Sequence, residues 1–137
     1  MSESFSIVHE VCTRTGMYVA PATFRMVVAY LNGYNDAIHG GLLQGFREWL
    51  IVRANGGNNS LWHAIIPHII LPDADDPNAA IDESEANNAR AIQMLETLFN
   101  EFSADLEQDG LRGVFHAYEK WLSTQSWYDE SSPQFLP

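Results

Sequence analysis

The 137-residue chain has one cysteine, Cys12, so it cannot close an internal disulfide and nothing in it calls for an oxidising compartment. Basic residues are scarce, seven Lys and Arg against eighteen Asp and Glu, for a formal charge of −11. That balance repels nucleic acid and anionic lipid, because no basic stripe is present to neutralise phosphates. Long apolar runs are missing too. The best one, Ala64–Leu71, is broken by Pro67 and His68 and falls far short of the roughly 20 residues a membrane span needs. At the N-terminus, Glu3, His9 and Glu10 stand where a signal peptide needs an apolar run behind basic residues, so a soluble, cytoplasmic protein is expected. What the chain does have is large apolar side chains. Hydrophobic content of 46%, with four Trp, five Tyr and seven Phe, is enough for one core in a single domain.

The acid excess is not evenly spread. Residues 1–70 hold four acids (Glu3, Glu10, Asp36, Glu48) against four arginines, and so balance. Residues 71–137 hold fourteen acids against Arg90, Arg112 and Lys120, which accounts for the entire net charge. Acidity of this kind can simply serve solubility. Concentrated in one half, it also sets up a one-signed field that speeds encounter with a cationic partner by roughly 10–10³-fold at low salt.

Hydrophobic periodicity reads as helix throughout. Phe5, Val8, Val11 and Cys12 predict a short helix, followed by an extended connector. Pro21 suits a first helical turn, and Phe24, Val27, Val28, Leu31, Tyr34 and Ile38 continue it until Gly40-Gly41. A second run, Leu42–Ala54, stops at the Gly- and Asn-rich segment 55–59, after which Ser60 is expected to cap a buried helix that Pro67 kinks or ends. Residues 72–88 form an acidic loop, in which Asp76-Pro77 has the make-up of a short helix start. Ile92, Leu95, Phe99, Phe102 and Leu106 form the strongest apolar stripe, with Glu85, Glu96 and Glu107 on a line beside it. Gly110 breaks that helix, and Leu111, Val114, Phe115, Tyr118, Trp121 and Leu122 predict a last one, with Asp109 as a candidate cap, folded back antiparallel. The fold class expected is all-α, a single-domain bundle of about five helices, with a loosely ordered tail over 129–137.

No catalytic pattern is complete. His63 and His68 are five apart, roughly 140° round a helix, and do not share a face as a His-x-x-x-His metal pair does. Asp73-Ala74-Asp75-Asp76-Pro77 opens like a calcium loop but has proline at the fifth position, no glycine at the sixth and no acid at the twelfth. His9 lies one turn before Cys12, yet a lone cysteine at an apolar helical position is usually a small core residue. Ser60 lacks the Gly-x-Ser-x-Gly of a nucleophile elbow, the glycines match no phosphate loop, and Glu101 with Asp105 reads as a charged flank. No catalytic residue, metal or cofactor is expected. Trp49, Trp62 and Trp121 fall at core positions, whereas Trp127 and Tyr128, beside Asp129-Glu130, are candidates for touching a partner.

Arg14-Thr-Gly-Met-Tyr-Val19, Ala29-Tyr-Leu-Asn-Gly-Tyr34, Gly45-Phe-Arg-Glu-Trp-Leu50 and Tyr118-Glu-Lys-Trp-Leu122 with Trp127-Tyr128 resemble small acidic immunity proteins of bacterial polymorphic and contact-dependent toxin systems. Thr15 stands where that family would be expected to carry proline. The resemblance implies a non-enzymatic inhibitor that binds one cognate toxin, often a basic nuclease, and blocks it by occlusion. The partner-binding candidates are Asp73, Asp75, Asp76, Asp82, Glu83, Glu85, Glu96, Glu107, Trp127 and Tyr128. An acidic mimic of nucleic acid and a small metal-dependent hydrolase using His63 and His68 stand as alternatives.

Overall fold

In a computed structural model describing residues 3–129 and 131, the periodic segments close into six helices, with no strand among the described residues. They are α1 (Glu3–Thr13), α2 (Phe24–Ala37), α3 (Phe46–Ala54), α4 (Trp62–Ile70), α5 (Pro77–Ile81) and α6 (Glu85–Ser123), with a 3₁₀ turn over Thr15–Met17. Five of the six have seven residues or more, so the all-α bundle expected from the sequence is present. Most of the tail, residue 130 and residues 132–137, lies outside the described residues.

Element starts differ from the sequence reading wherever side chains offer the backbone another partner. Pro21 sits outside α2, behind a cis peptide bond; the helix begins at Phe24, where the Thr23 side chain accepts from Met26 N–H. Residues 42–45 are not helical. The Asn35 side-chain oxygen accepts from Leu42 and Leu43 N–H at 3.1 and 2.8 Å, holding a turn that delays α3 to Phe46. Ser60 does not cap α4, whose N-cap position is Leu61 with no side-chain bond. Instead the Ser60 carbonyl, like that of Asn58, accepts from the Arg47 guanidinium, which organises the whole 58–60 turn. Pro67 does not end α4, which runs three residues further, to Ile70. Burial of Ile65, Ile66, Pro67 and Ile70 outweighs the lost backbone bond, and Arg90 donates to the terminal Ile70 carbonyl at 3.0 Å, a cation at a helix C-terminus.

The segment 72–88 is less of a loop than its composition implies. Asp76 accepts from Ala79 N–H to cap α5, with Pro77 in the first turn, and Ser84 accepts from Asn87 N–H to start α6. Buried Asn88 ties this corner to α2: its oxygen accepts from Phe24 N–H at 2.8 Å while its amide donates to the Ile81 and Ser84 carbonyls.

The core centres on Phe46, fully buried, with Trp49, Trp62, Phe99 and Phe102 ringed about it. Along α6, Gly110 has φ 70° and ψ 178°, a conformation essentially restricted to glycine, and it bends the helix sharply. Trp49 and Arg53 of α3 bond Asp105 and Glu101 in the limb before the bend. In the limb after it, Leu111 and Val114 lie against Gly45, and Trp121 bonds Asn55. The two limbs therefore run in opposite senses along α3, as the antiparallel reading requires.

Candidate functional site

Six carboxylates, Asp73, Asp75 and Asp76 before α5 and Asp82, Glu83 and Glu85 between it and the first turn of α6, flank that short helix, and all six residues are exposed. Among the described residues, only Asp82 of the six has an ion-pair partner, the Arg25 guanidinium. Asp76 caps α5 with one oxygen. The scarcity of bases explains why the rest stay uncompensated. Arg14 pairs with Glu10, Arg53 with Glu101, Arg47 spans two backbone carbonyls, and Arg90 is drawn to Ile70. Arg14 and Arg53 are thus paired with other acids and Arg47 and Arg90 are held on backbone carbonyls, and the acids of this segment keep a net negative charge.

The other partner-binding candidates lie elsewhere. Glu85, Glu96 and Glu107 share a helical line, but Glu85 and Glu107 are about 33 Å apart along it at 1.5 Å per residue. Glu96 is half-buried against α1, accepting from His9 Nδ1 at 2.6 Å. Trp127 is 43% exposed and meets Tyr128 edge to face, with Tyr128 packed onto the core, so this pair forms a ledge after the second limb of α6. The 73–85 acids thus flank α5 within one segment of chain, whereas Glu96 lies against α1 and Glu107 is about 33 Å from Glu85 along α6.

Neither nucleophile candidate gains the surroundings it needs. Burial, reinforced by the Glu96 charge, pushes the Cys12 thiol up to about 12, so it stays protonated at neutral pH, and His9 spends its Nδ1 on Glu96. His63 stacks edge to face on Trp62, and burial lowers its pKa below the usual value. His68 is exposed. A group whose folded pKa is depressed binds protons more readily in the unfolded chain, so its contribution is present above pH ~6.5 and is lost as pH falls through the folded pKa. The expected result is that the wild-type melting temperature, measured relative to that of His63→Gln, falls between pH 8 and pH 5.5. A difference that stays constant would contradict burial as the cause.

A second acidic region lies at the other end of the first limb of α6. There the bend and α3 enclose a cavity of about 250 Å³ lined by Trp49, Val52, Arg53, Asp105, Asp109, Gly113, Val114 and Ala117. Asp105 accepts from the Trp49 indole N–H at 2.7 Å. Asp105 was legible in the sequence as a flank residue and Asp109 as a helix cap, but neither as part of a pocket. The four-residue spacing of Asp105 and Asp109 marks a shared face, but Gly113 lies beyond the Gly110 bend and carries no such signal. Among the described residues no group of three or more His, Cys, Asp or Glu is placed to hold a metal ion, and no helix is long and apolar enough to cross a membrane. No protein-family model, curated protein or solved structure matches this chain.

Proposed function

We propose that the protein is a non-enzymatic inhibitor that binds a basic protein toxin and covers its active or substrate-binding surface, the role implied by the resemblance to immunity proteins. The observation that carries this reading is the pole of acids at α5 and the start of α6: six exposed carboxylates with a single arginine paired among them. Nearby exposed charges of one sign contribute little to folding and repel one another, whereas they accelerate encounter with a cationic surface. The Trp127–Tyr128 ledge supplies aromatic area of the kind that anchors interfaces once water is displaced.

Reversing Asp73, Asp75 and Glu83 to lysine tests the reading without touching Asp76, which caps α5, or Asp82, which pairs with Arg25. The partner is captured from the producing cells, identified by mass spectrometry and tested for toxicity alone and with this chain. It is expected to be basic, toxic alone and neutralised on co-expression. Its association with the triple variant is expected to slow at least about tenfold at low salt, with a flatter salt dependence. A harmless or acidic partner, or an unchanged association rate, overturns the reading.

A further inference from the structure

We propose that the cavity between α3 and the α6 hairpin receives an arginine side chain projected by the partner. The inference rests on the reading that the partner is basic, and adds where one of its cations is held.

The walls divide by chemistry. Val52, Val114 and Ala117 offer an apolar lining suited to an aliphatic stem, and Trp49 adds an aromatic wall. Asp105 and Asp109 line the same space, four residues apart on one limb of α6. Asp105 uses Oδ2 on the Trp49 indole, a neutral donor that leaves its negative charge uncancelled and its other oxygen available. The one cation in the lining, Arg53, donates through Nε to Glu101 at 3.1 Å, so its charge is answered outside the pocket. Counting Glu101, three carboxylates therefore stand against one guanidinium at the pocket, a net charge of −2. A space lined by apolar side chains, two acids and an indole complements arginine better than lysine, because a planar guanidinium can bond carboxylates and lie against the ring at once. At about 250 Å³ the space suits one side chain rather than a peptide segment or a drug-sized ligand.

Gly113 keeps this wall open. A Cβ there would stand 2.5 Å from the Cβ of Asp109, so no other residue fits without moving the acid that the pocket presents. The site is also remote from the α5 pole, with Glu85 and Asp105 about 30 Å apart along α6. Steering at one end of the helix and gripping at the other are thus separable by mutation.

The test uses the whole chain and small probes, not the toxin. The probes are N-acetyl-arginine amide, N-acetyl-lysine amide and the neutral N-acetyl-norleucine amide. The Trp49 indole N–H resonance, assigned by its loss in Trp49→Phe, reports on the pocket in ¹H–¹⁵N spectra. Saturable displacement of that resonance by the arginine probe is expected, with weaker displacement by lysine and none by norleucine. Asp105→Asn keeps an acceptor for the indole while removing the charge, and Asp109→Asn is nearly isosteric. Each is expected to weaken the arginine response about fivefold, in line with one exposed charge-assisted contact. Absence of any shift with arginine, an equal response to lysine, or an undiminished response in the double Asn variant overturns the assignment. The Asp73, Asp75 and Glu83 reversals are expected to leave this titration unchanged, so failure of the steering reading and failure of the pocket are told apart.

Discussion

Replacing Phe46 with alanine is expected to cost about 3–5 kcal/mol of folding stability, the range for deleting a buried aromatic and leaving a cavity. Phe46 is 0% exposed, and its ring centroid lies 4.9 Å from Phe99, 5.1 Å from Phe102, 5.6 Å from Trp62 and 6.2 Å from Trp49. Those four rings come from α3, α4 and the first limb of α6, so one side chain joins three elements. Collapse into the gap is hindered, because two of the four neighbours are themselves held. The Trp49 indole is bonded to Asp105 and the Trp62 indole to Asn32 at 3.0 Å. Against a total stability of about 5–15 kcal/mol for a domain, the loss is a large fraction. Urea unfolding checks it: the midpoint should fall sharply with the slope unchanged. Phe46→Leu, which keeps much of the volume, should recover a good part of the loss. A deficit under about 1 kcal/mol for alanine would mean the aromatic cluster is not the centre of the core.

Periodicity revealed the helices because local spacing is all that it requires: Val27, Val28 and Leu31, or Leu95, Phe99 and Phe102, announce a buried face wherever the chain goes. It misplaced the helix starts because those depend on which groups lie near in space. Asn35 reaching forward to Leu42 and Leu43, or Arg47 seizing the carbonyls of Asn58 and Ser60, leaves no periodic trace. Pro67 misled for the converse reason: its local penalty is real, yet the buried isoleucines around it hold the helix together.

The acidic site was half legible for a similar cause. Charge counting found the 73–85 acids, since their crowding is a property of sequence, and the Asp76-Pro77 pair marked α5. Helical periodicity put Glu96 on one line with Glu85 and Glu107 as a partner-facing acid. That was a tertiary matter, decided by His9, 87 residues away. Asp105 carried no sequence mark of its bond to Trp49, 56 residues distant, and so the pocket it lines was invisible until the bend at Gly110 brought the second limb back. Composition reports how much charge a chain carries; which carboxylates remain available is settled by the few bases and by the indole and imidazole donors that fold onto them.

Gly113→Ala is expected to destabilise the protein by about 1–3 kcal/mol, in contrast to the slight gain that Gly→Ala gives in an ordinary helix. The cause is specific. The new Cβ would lie 2.5 Å from the Cβ of Asp109, an atom fixed to the backbone that cannot swing aside. Relief requires the bend itself to open, and the bend is pinned by Gly110 at φ 70° and by the contacts of both limbs with α3. Removing the opposing Cβ in Asp109→Gly should relieve the clash. The double variant Asp109→Gly/Gly113→Ala is therefore expected to be more stable than the sum of the two single effects allows, by about 1 kcal/mol or more. Additive losses would show that the alanine acts through something other than Asp109. Because Asp109 and Gly113 both line the cavity, the same clash in the single variant should also displace the Trp49 indole resonance with no probe added, while a surface change such as Gly33→Ala, where a Cβ meets nothing within 4 Å, should leave it in place.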